Sequence, residues 1–429
     1  MLRHASATLT TNQVRGFWAA WAGWALDGMD SFIYALVLVP ALRDLLPRSG
    51  ISADQGNIGF YGGVLFAIFL VGWGFAFLWG PLADRFGRVR TLVLTILCYS
   101  LFTFLGCAAT SVWQLAAFRF LAGAGIGGEW TIGGVFVAEE WPESRRLQGA
   151  AWMHTGYYFG TFLAAIVNYT VGAHFGWRAV FAVGGAPALL VAFIRYGVRE
   201  SSRWEHRVAA LDGRWRARDA FFALFAPEYR RRTIANASLL FISMVGLWAG
   251  SAYVPSSITY LAVREGFTAP GAARLASQAI MLLSAGTILG CLLVPTLAER
   301  MGRRGTLGFF FVLMFVCISL GFGYVFYLEH DALRWFMTCL FFLGIGGANF
   351  AVYTLWLPEQ YRTECRGSAF AFATSFGRFL AAGITFLVGA GVARMHTIGT
   401  PVALTSIAFL AGLALVPLAE ETKGKELPE

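Results

Sequence analysis

Two carboxylates three residues apart, Asp27 and Asp30, interrupt an otherwise apolar run from Phe17 to Ala41. That run is long enough to cross a hydrocarbon core about 30 Å thick, so both acids are expected inside a membrane. An aspartate at the centre of a spanning helix costs about 2.5 to 3.5 kcal/mol on insertion scales, so acids there face a bundle interior or cavity and mark ion or substrate paths. The i, i+3 spacing sets both on one helix face. The plainer alternative is that one or both simply pair with a buried base. Three more charges stand in apolar runs: Arg119, Glu129 and Arg378. A guanidinium grips a carboxylate with a planar two-pronged fork, and the second half of the chain has almost no intramembrane acid to pair with Arg378. It is therefore the candidate anchor for an anionic substrate, with a buried ion pair as the alternative.

The elements that must position these groups are read from composition. The 429 residues are 57% hydrophobic and 13% charged, against about 25% charged in soluble domains, and mean hydropathy is +0.62. This is the composition of a polytopic membrane protein. Six cysteines, all in or beside apolar runs and without a CxxC pair, argue against disulfides and metal sites. No cofactor is called for. The net charge of +9 is scattered between apolar runs and forms no nucleic-acid motif.

Hydropathy and turn signals predict twelve spans: 17–41, 58–79, 91–109, 113–136, 147–172, 177–196, 233–263, 276–297, 306–327, 333–357, 367–393 and 400–418. The first is too long, and lacks the cleavage site, to be a signal peptide. The segments sharing a side with the termini hold 24 arginines and lysines and the opposite loops 7, which predicts both termini in the cytoplasm.

Depth decides which charges can meet. At about 1.5 Å per residue, Asp30 lies about 20 Å from the inner face and Arg119, descending in span four, is level with it; Asp27 is nearer Arg378 in depth. Glu129, about 15 Å below Arg119, serves either as a proton relay or as a gate residue through Arg145 or Arg146. His154 either titrates near neutral pH or is a satisfied packing residue. Tyr157, Asn168, Gln278, Asn349 and Tyr353 are polar positions able to line a central cavity, as are Tyr158, Asn236 and Trp248.

The chain repeats itself. Gly80-Pro-Leu-Ala-Asp84-Arg85-Phe-Gly87-Arg88 recurs as Pro295-Thr-Leu-Ala-Glu299-Arg300-Met-Gly302-Arg303, and Gly125-Ile-Gly-Gly128 recurs as Gly344-Ile-Gly-Gly347. Two six-span halves follow: residues 1–196 and 233–418, a basic linker at 197–232 with amphipathic helices on the membrane surface, and a tail at 419–429.

These loops resemble the signature of the major facilitator superfamily, G-x-L-A-D-R-x-G-R-R/K, and Arg119-Phe-Leu-Ala-Gly123-Ala-Gly125 resembles its span-four motif R-x-x-x-G-x-G. The resemblance covers nearly the whole chain. Arg199-Glu-Ser-Ser-Arg203-Trp and Glu421-Thr-Lys-Gly-Lys425 are similar to sugar-porter motifs without their prolines. Asp27-Gly-Met-Asp30 and Gly127-Gly128-Glu129-Trp130 are similar instead to D-x-x-D and G-G-E-W of the organic-acid:proton symporters. The resemblance implies an all-α membrane fold of twelve helices in two pseudo-symmetric bundles. It also implies salt bridges among Asp84, Arg85, Arg88, Glu139, Glu140 and Arg145, repeated at Glu299, Arg300, Glu359 and Arg362, that hold the outward-open state and break when the inner side opens. In the resembling symporters an Asp–Arg pair opens as the Asp is protonated, and Asp30 and Arg119 align with it.

The expectation is a monomeric secondary transporter of the inner plasma membrane that imports a small carboxylate with protons. Asp27, Asp30, Arg119 and Glu129 couple the proton; Arg378 holds the anion. Asp30 is expected to carry the coupled proton and Asp27 to line the site or relay. The alternative is a proton-coupled sugar or neutral-metabolite transporter. No G-x-S-x-G, H-E-x-x-H or phosphate loop points to an enzyme.

Overall fold

The computed structural model describes residues 9–210, 217–246 and 253–428 and contains no strand among them. Trp248 lies outside the described residues. The first helix, α1 (Thr11–Arg48), starts with a reciprocal cap. Thr10 Oγ1 accepts from Gln13 N, and the Gln13 side chain accepts from Thr10 N. It bends by 47° between Thr11–Tyr34 and Leu36–Arg48, just before Pro40, whose ring clashes with the carbonyl four residues back.

The second crossing joins α2 (Gln55–Gly74) to α3 (Trp79–Phe86) through a 3-10 turn, and Gly87 at φ 108° then turns the chain into α4 (Arg88–Gly106). α5 (Val112–Glu140) and α6 (Glu143–Val167) follow, then α7 (Ala173–Val183) with α8 (Ala188–Gly197) as the sixth crossing. The basic linker carries the short helices α9 (Ser202–Ala210) and α10 (Ala217–Ala223).

The second half begins with α11 (Arg230–Val245) and α12 (Val254–Arg264). Spans eight and nine, predicted as separate helices, are two helices that meet at a non-helical Gly302 and are labelled together as the 55-residue α13 (Ala269–Gly323). At about 1.5 Å per residue this is far longer than one crossing, and the break is conformational: Gly302 at φ 76° folds the run into two passes. α14 (Ala332–Gly347) with α15 (Asn349–Trp356), α16 (Arg366–Met395), and α17 (Gly399–Leu404) with α18 (Ile407–Leu415) complete the set. Among the described residues, seven stretches are long and apolar enough to cross a membrane, eight with the bent α1. The two passes of α13 and the more polar or broken helices α6, α7–α8 and α11–α12 bring the crossings to two sets of six.

Within the first half α1 and α6 approach so closely that a Cβ on Gly160 would sit 1.8 Å from the Ala25 carbonyl oxygen, and one on Gly28 2.2 Å from that of Tyr157. Between the halves, α6 packs on α13 and α15, and α16 packs on α2, α3 and α5. The candidate site lies along these two seams.

Candidate functional site

The middle of the molecule holds a cavity walled by Trp24 (α1), Trp73 (α2), Trp130 (α5), His154, Tyr157 and Tyr158 (α6), Met244 (α11), Phe350 (α15) and Arg378 (α16). Both halves contribute. Its volume is about 30 Å³, room for about two waters, so the walls are contracted around it. Arg378 is 3% exposed, its guanidinium lies 4.4 Å over the Trp73 ring and 5.9 Å from that of Trp130, and its Nε and Nη1 have no hydrogen-bond partner among the described residues. A buried cation held on ring faces with unused donors is the arrangement that an incoming carboxylate completes.

Next to the cavity the acids divide. Asp30 is paired: both of its oxygens lie 3.4 Å from Arg119 Nη1, and Arg119 is also clasped between the rings of Phe69, at 4.3 Å, and Tyr34, at 4.7 Å. Asp27 is fully buried, and neither of its oxygens has a hydrogen-bond partner among the described residues. Its electrostatic neighbours are Glu129, Asp30 and Arg378. Glu129 Oε1 accepts from Thr95 Oγ1 at 2.8 Å while Oε2 is unpartnered, and the side chain fits against α1 only because residue 23 is glycine. Among the described residues Glu129 has no arginine partner. Of its two alternative roles, the gate contact through Arg146 is not made, because Arg146 reaches Glu359 and Glu143 instead.

The other polar positions singled out in the sequence are elsewhere. Tyr157 and Tyr158 line the cavity. Asn168 sits in a π-turn after α6, and Gln278 is exposed. Asn349 donates to the Gly346 carbonyl, Tyr353 shares a hydrogen bond with Ser243, and Asn236 donates to Gln360 and Tyr361. None of these five is on the cavity wall in this conformation.

One face of the molecule, here called the motif face, carries both repeated loops and closes the halves together. Asp84 is buried and accepts from Arg88 Nη1 and from three groups of the other half: Gly367 N at 3.0 Å, Ser368 N at 2.7 Å and Ser368 Oγ at 2.6 Å. Glu139 lies between Arg88 of its own half, at 2.9 Å, and Arg366 of the other, at 2.8 Å. Glu359 repeats this with Arg303 at 2.7 Å and Arg146, from the first half, at 3.3 Å. Ser201 and Thr422 bond the outer oxygens of these two glutamates.

Several expected gate residues take lesser places. Glu140 accepts from Ser202 N and Oγ. Glu299 and Arg300 are exposed, and Arg362 stands 3.9 Å from Glu228 in an exposed pair. Arg85 is half-buried beside Asp84, and the cross-half pair belongs to Arg146, not its neighbour Arg145. Arg366 is the closure residue that the loop motifs do not contain; an offset of 220 residues, shared by Glu139 with Glu359 and Arg146 with Arg366, finds it.

Beside this network two carboxylates cap helices. Glu200 accepts from the N–H groups of Arg88 and Val89, and Glu421 from those of Arg303 and Arg304. Burial pushes the Glu200 carboxyl above its ordinary range despite those bonds. Burial also opposes ionisation of Glu421, but four backbone N–H groups outweigh it and hold that carboxyl below the range.

Comparison with known proteins agrees with this geometry. The model of the Major Facilitator Superfamily matches residues 20–386. A probable 4-methylmuconolactone transporter of Cupriavidus pinatubonensis is 32% identical over 96% of this chain and 91% of its own length. A niacin transporter of Acinetobacter baylyi is 26% identical over 96% and 94%. Among solved structures, a proton:xylose symporter bound to 6-bromo-6-deoxy-D-glucose superposes with a TM-score of 0.79 over 97% of this chain and 98% of that one; at 19% identity it shows the fold. The chain belongs to the Major Facilitator Superfamily. It is an integral multi-pass membrane transporter, not an enzyme.

Proposed function

We propose that this transporter imports a small organic carboxylate together with protons across the inner plasma membrane, the motif face being cytoplasmic and the chain acting as a monomer. The observation that carries the reading is Arg378, buried in the central cavity with its Nε and Nη1 donors unpartnered among the described residues. The relatives named for 4-methylmuconolactone and niacin transport support a small organic metabolite. The sugar alternative asks for a wall of amides and hydroxyls, whereas this wall has no amide side chain, only two tyrosine hydroxyls, and a guanidinium among rings.

Coupling follows from charge balance. Among the described residues Asp27 has no hydrogen-bond partner and lies in the field of Arg378, so an arriving carboxylate and an ionised Asp27 compete for one buried cation. Substrate binding is therefore accompanied by proton uptake at Asp27. Asp30, held by Arg119, carries the conformation-linked proton: opening that pair leaves a desolvated carboxylate that must be neutralised. Glu129, with one free oxygen nearer the motif face, passes the proton on. Alternating access then rocks one half on the other around the cavity.

The test is a thermal-shift screen of purified protein against carboxylates and sugars, followed by counterflow and pH-gradient-driven uptake of the best ligand in proteoliposomes. Arg378→Ala is expected to abolish uptake. Asp27→Asn is expected to retain counterflow and lose proton-driven accumulation. Stabilisation by a sugar and by no carboxylate, or near-normal uptake by Arg378→Ala, would defeat the reading.

A further inference from the structure

One residue of the cavity wall is also bonded across the interface. Trp130 stacks on Trp24 at 5.7 Å and lies 5.9 Å from the Arg378 guanidinium, yet its N–H is donated to the other half, to Thr354 Oγ1 on α15 at 2.8 Å. Both residues are fully buried. They stand on the two elements that lead to the charged closure: Glu139 follows Trp130 by nine residues on α5, and Glu359 follows Thr354 by five, just beyond α15. One turn beyond Trp130, at Gly134, α5 has no room for a side chain. A Cβ there would stand 3.0 Å from Thr354 Cγ2 and 3.1 Å from Phe370 Cε1. From the cavity towards the motif face, α5 is therefore joined to the other half first by a neutral hydrogen bond, then by bare backbone contact, and last by Glu139 with Arg366.

We propose that the Trp130–Thr354 bond is a second gate, uncharged and in series with the carboxylate–arginine closure, and that Thr354 is the positioning residue that pins the Trp130 indole between the cavity and the motif face. Parting of α5 from α15 must break this bond, and an indole N–H deprived of a buried acceptor is destabilised. The closed state is thereby held at two levels. An indole N–H only donates and a threonine hydroxyl is not an acid in this range, so the second gate strengthens closure without binding or releasing a proton. The assignment rests on the halves parting at the motif face and stands whether or not Arg378 anchors an anion.

The experiment follows maleimide labelling of Cys365, 1% exposed beside Arg366 at the motif face, in the purified full chain without ligand, with the labelled site located by mass spectrometry. Thr354→Val keeps the shape of the side chain and removes the hydroxyl. It is expected to label about tenfold faster than wild type, the fold-change of one buried donor left unpaired. Thr354→Ser keeps the acceptor and should label within about twofold of wild type. Trp130→Phe is expected to give a smaller rise, because the released Thr354 hydroxyl can turn to a carbonyl of its own helix. The double variant should not exceed Thr354→Val, since both changes remove the same bond. Thr405→Val is the control: that buried hydroxyl donates to the Val402 carbonyl within its own half, and its loss should leave labelling unchanged. If Thr354→Val does not fold, Gly134→Ala decides, because the added Cβ presses on Thr354 and Phe370 and should speed labelling; a wild-type rate there overturns the proposal. So does a wild-type rate in Thr354→Val, an equal rise in the Val and Ser variants, a matching rise in Thr405→Val, or additive rises in the double variant. None of these outcomes bears on the anion reading, which is tested with ligand and at Arg378.

Discussion

The two halves agree at the motif face and disagree in the middle. At the face, Glu139 and Glu359 each hold one arginine from the same half and one from the other, and Glu200 and Glu421 each cap the helix that follows the loop glycine. Mid-membrane, the first half supplies Asp27, Asp30, Arg119 and Glu129, while the second supplies Arg378. At the offset of 220 that pairs Arg146 with Arg366 on α6 and α16, the repeat position of Arg378 is Tyr158, an uncharged ring of the cavity wall. The difference separates two demands. Rocking needs both halves to meet the same closure, so the closure keeps its symmetry; binding and coupling need unlike groups facing each other, so the centre loses it.

The largest effects should come from breaking the matched closure. Glu139→Gln and Glu359→Gln each leave two buried arginines under-neutralised, a loss of about 3 to 5 kcal/mol in the closed state. Both are expected to open the motif face to a similar extent. Cys365, 1% exposed next to Arg366, is a native reporter: its maleimide labelling, located by mass spectrometry, should rise in both variants. A rise in one alone would break the symmetry claimed here.

A smaller and one-sided effect is expected where the repeat is imperfect. Asp84→Asn disturbs a buried carboxylate with partners in both halves, for about 1 to 3 kcal/mol, whereas exposed Glu299→Gln should stay within about 0.5 kcal/mol. Thermal melts of the purified variants compare the two.

The smallest effect distinguishes the caps by pH. Glu421, held below its ordinary range, contributes stability above that range and loses it as pH falls through the lowered value. Glu200, held above its range, contributes most when protonated and loses that contribution as pH rises through the raised value. Acidification should therefore loosen 420–424 and tighten 199–203, which hydrogen exchange corrected for intrinsic rates can follow. Loosening of both together would mean the caps are alike after all.

The amount legible in the sequence tracks the kind of constraint. Apolar length, the two loop copies and the R-x-x-x-G-x-G helix are periodic or local features, and from them the helical crossings and the level of Asp30 with Arg119 could be read. Rotation about each helix axis could not, because a span predicts depth but not azimuth. Hence Asn168, Gln278, Asn349 and Tyr353 were chosen by type and stand off the wall, while Trp24, Trp73 and Trp130 form it. Tryptophan is too common here for any one to stand out. The distinction between Asp27 and Asp30 likewise needed side-chain partners.

The exchanged arginines also determine what parting of the halves exposes. When the motif face opens, Glu139 retains Arg88 and Glu359 retains Arg303, so no carboxylate is left bare. What loses its cross-half carboxylate is a pair of cations: Arg146, which keeps Glu143 of its own helix, and Arg366, which keeps the Pro358 and Tyr361 carbonyls. Parting of the halves therefore uncovers one under-neutralised positive charge on each, and the two bare surfaces repel where they had been latched.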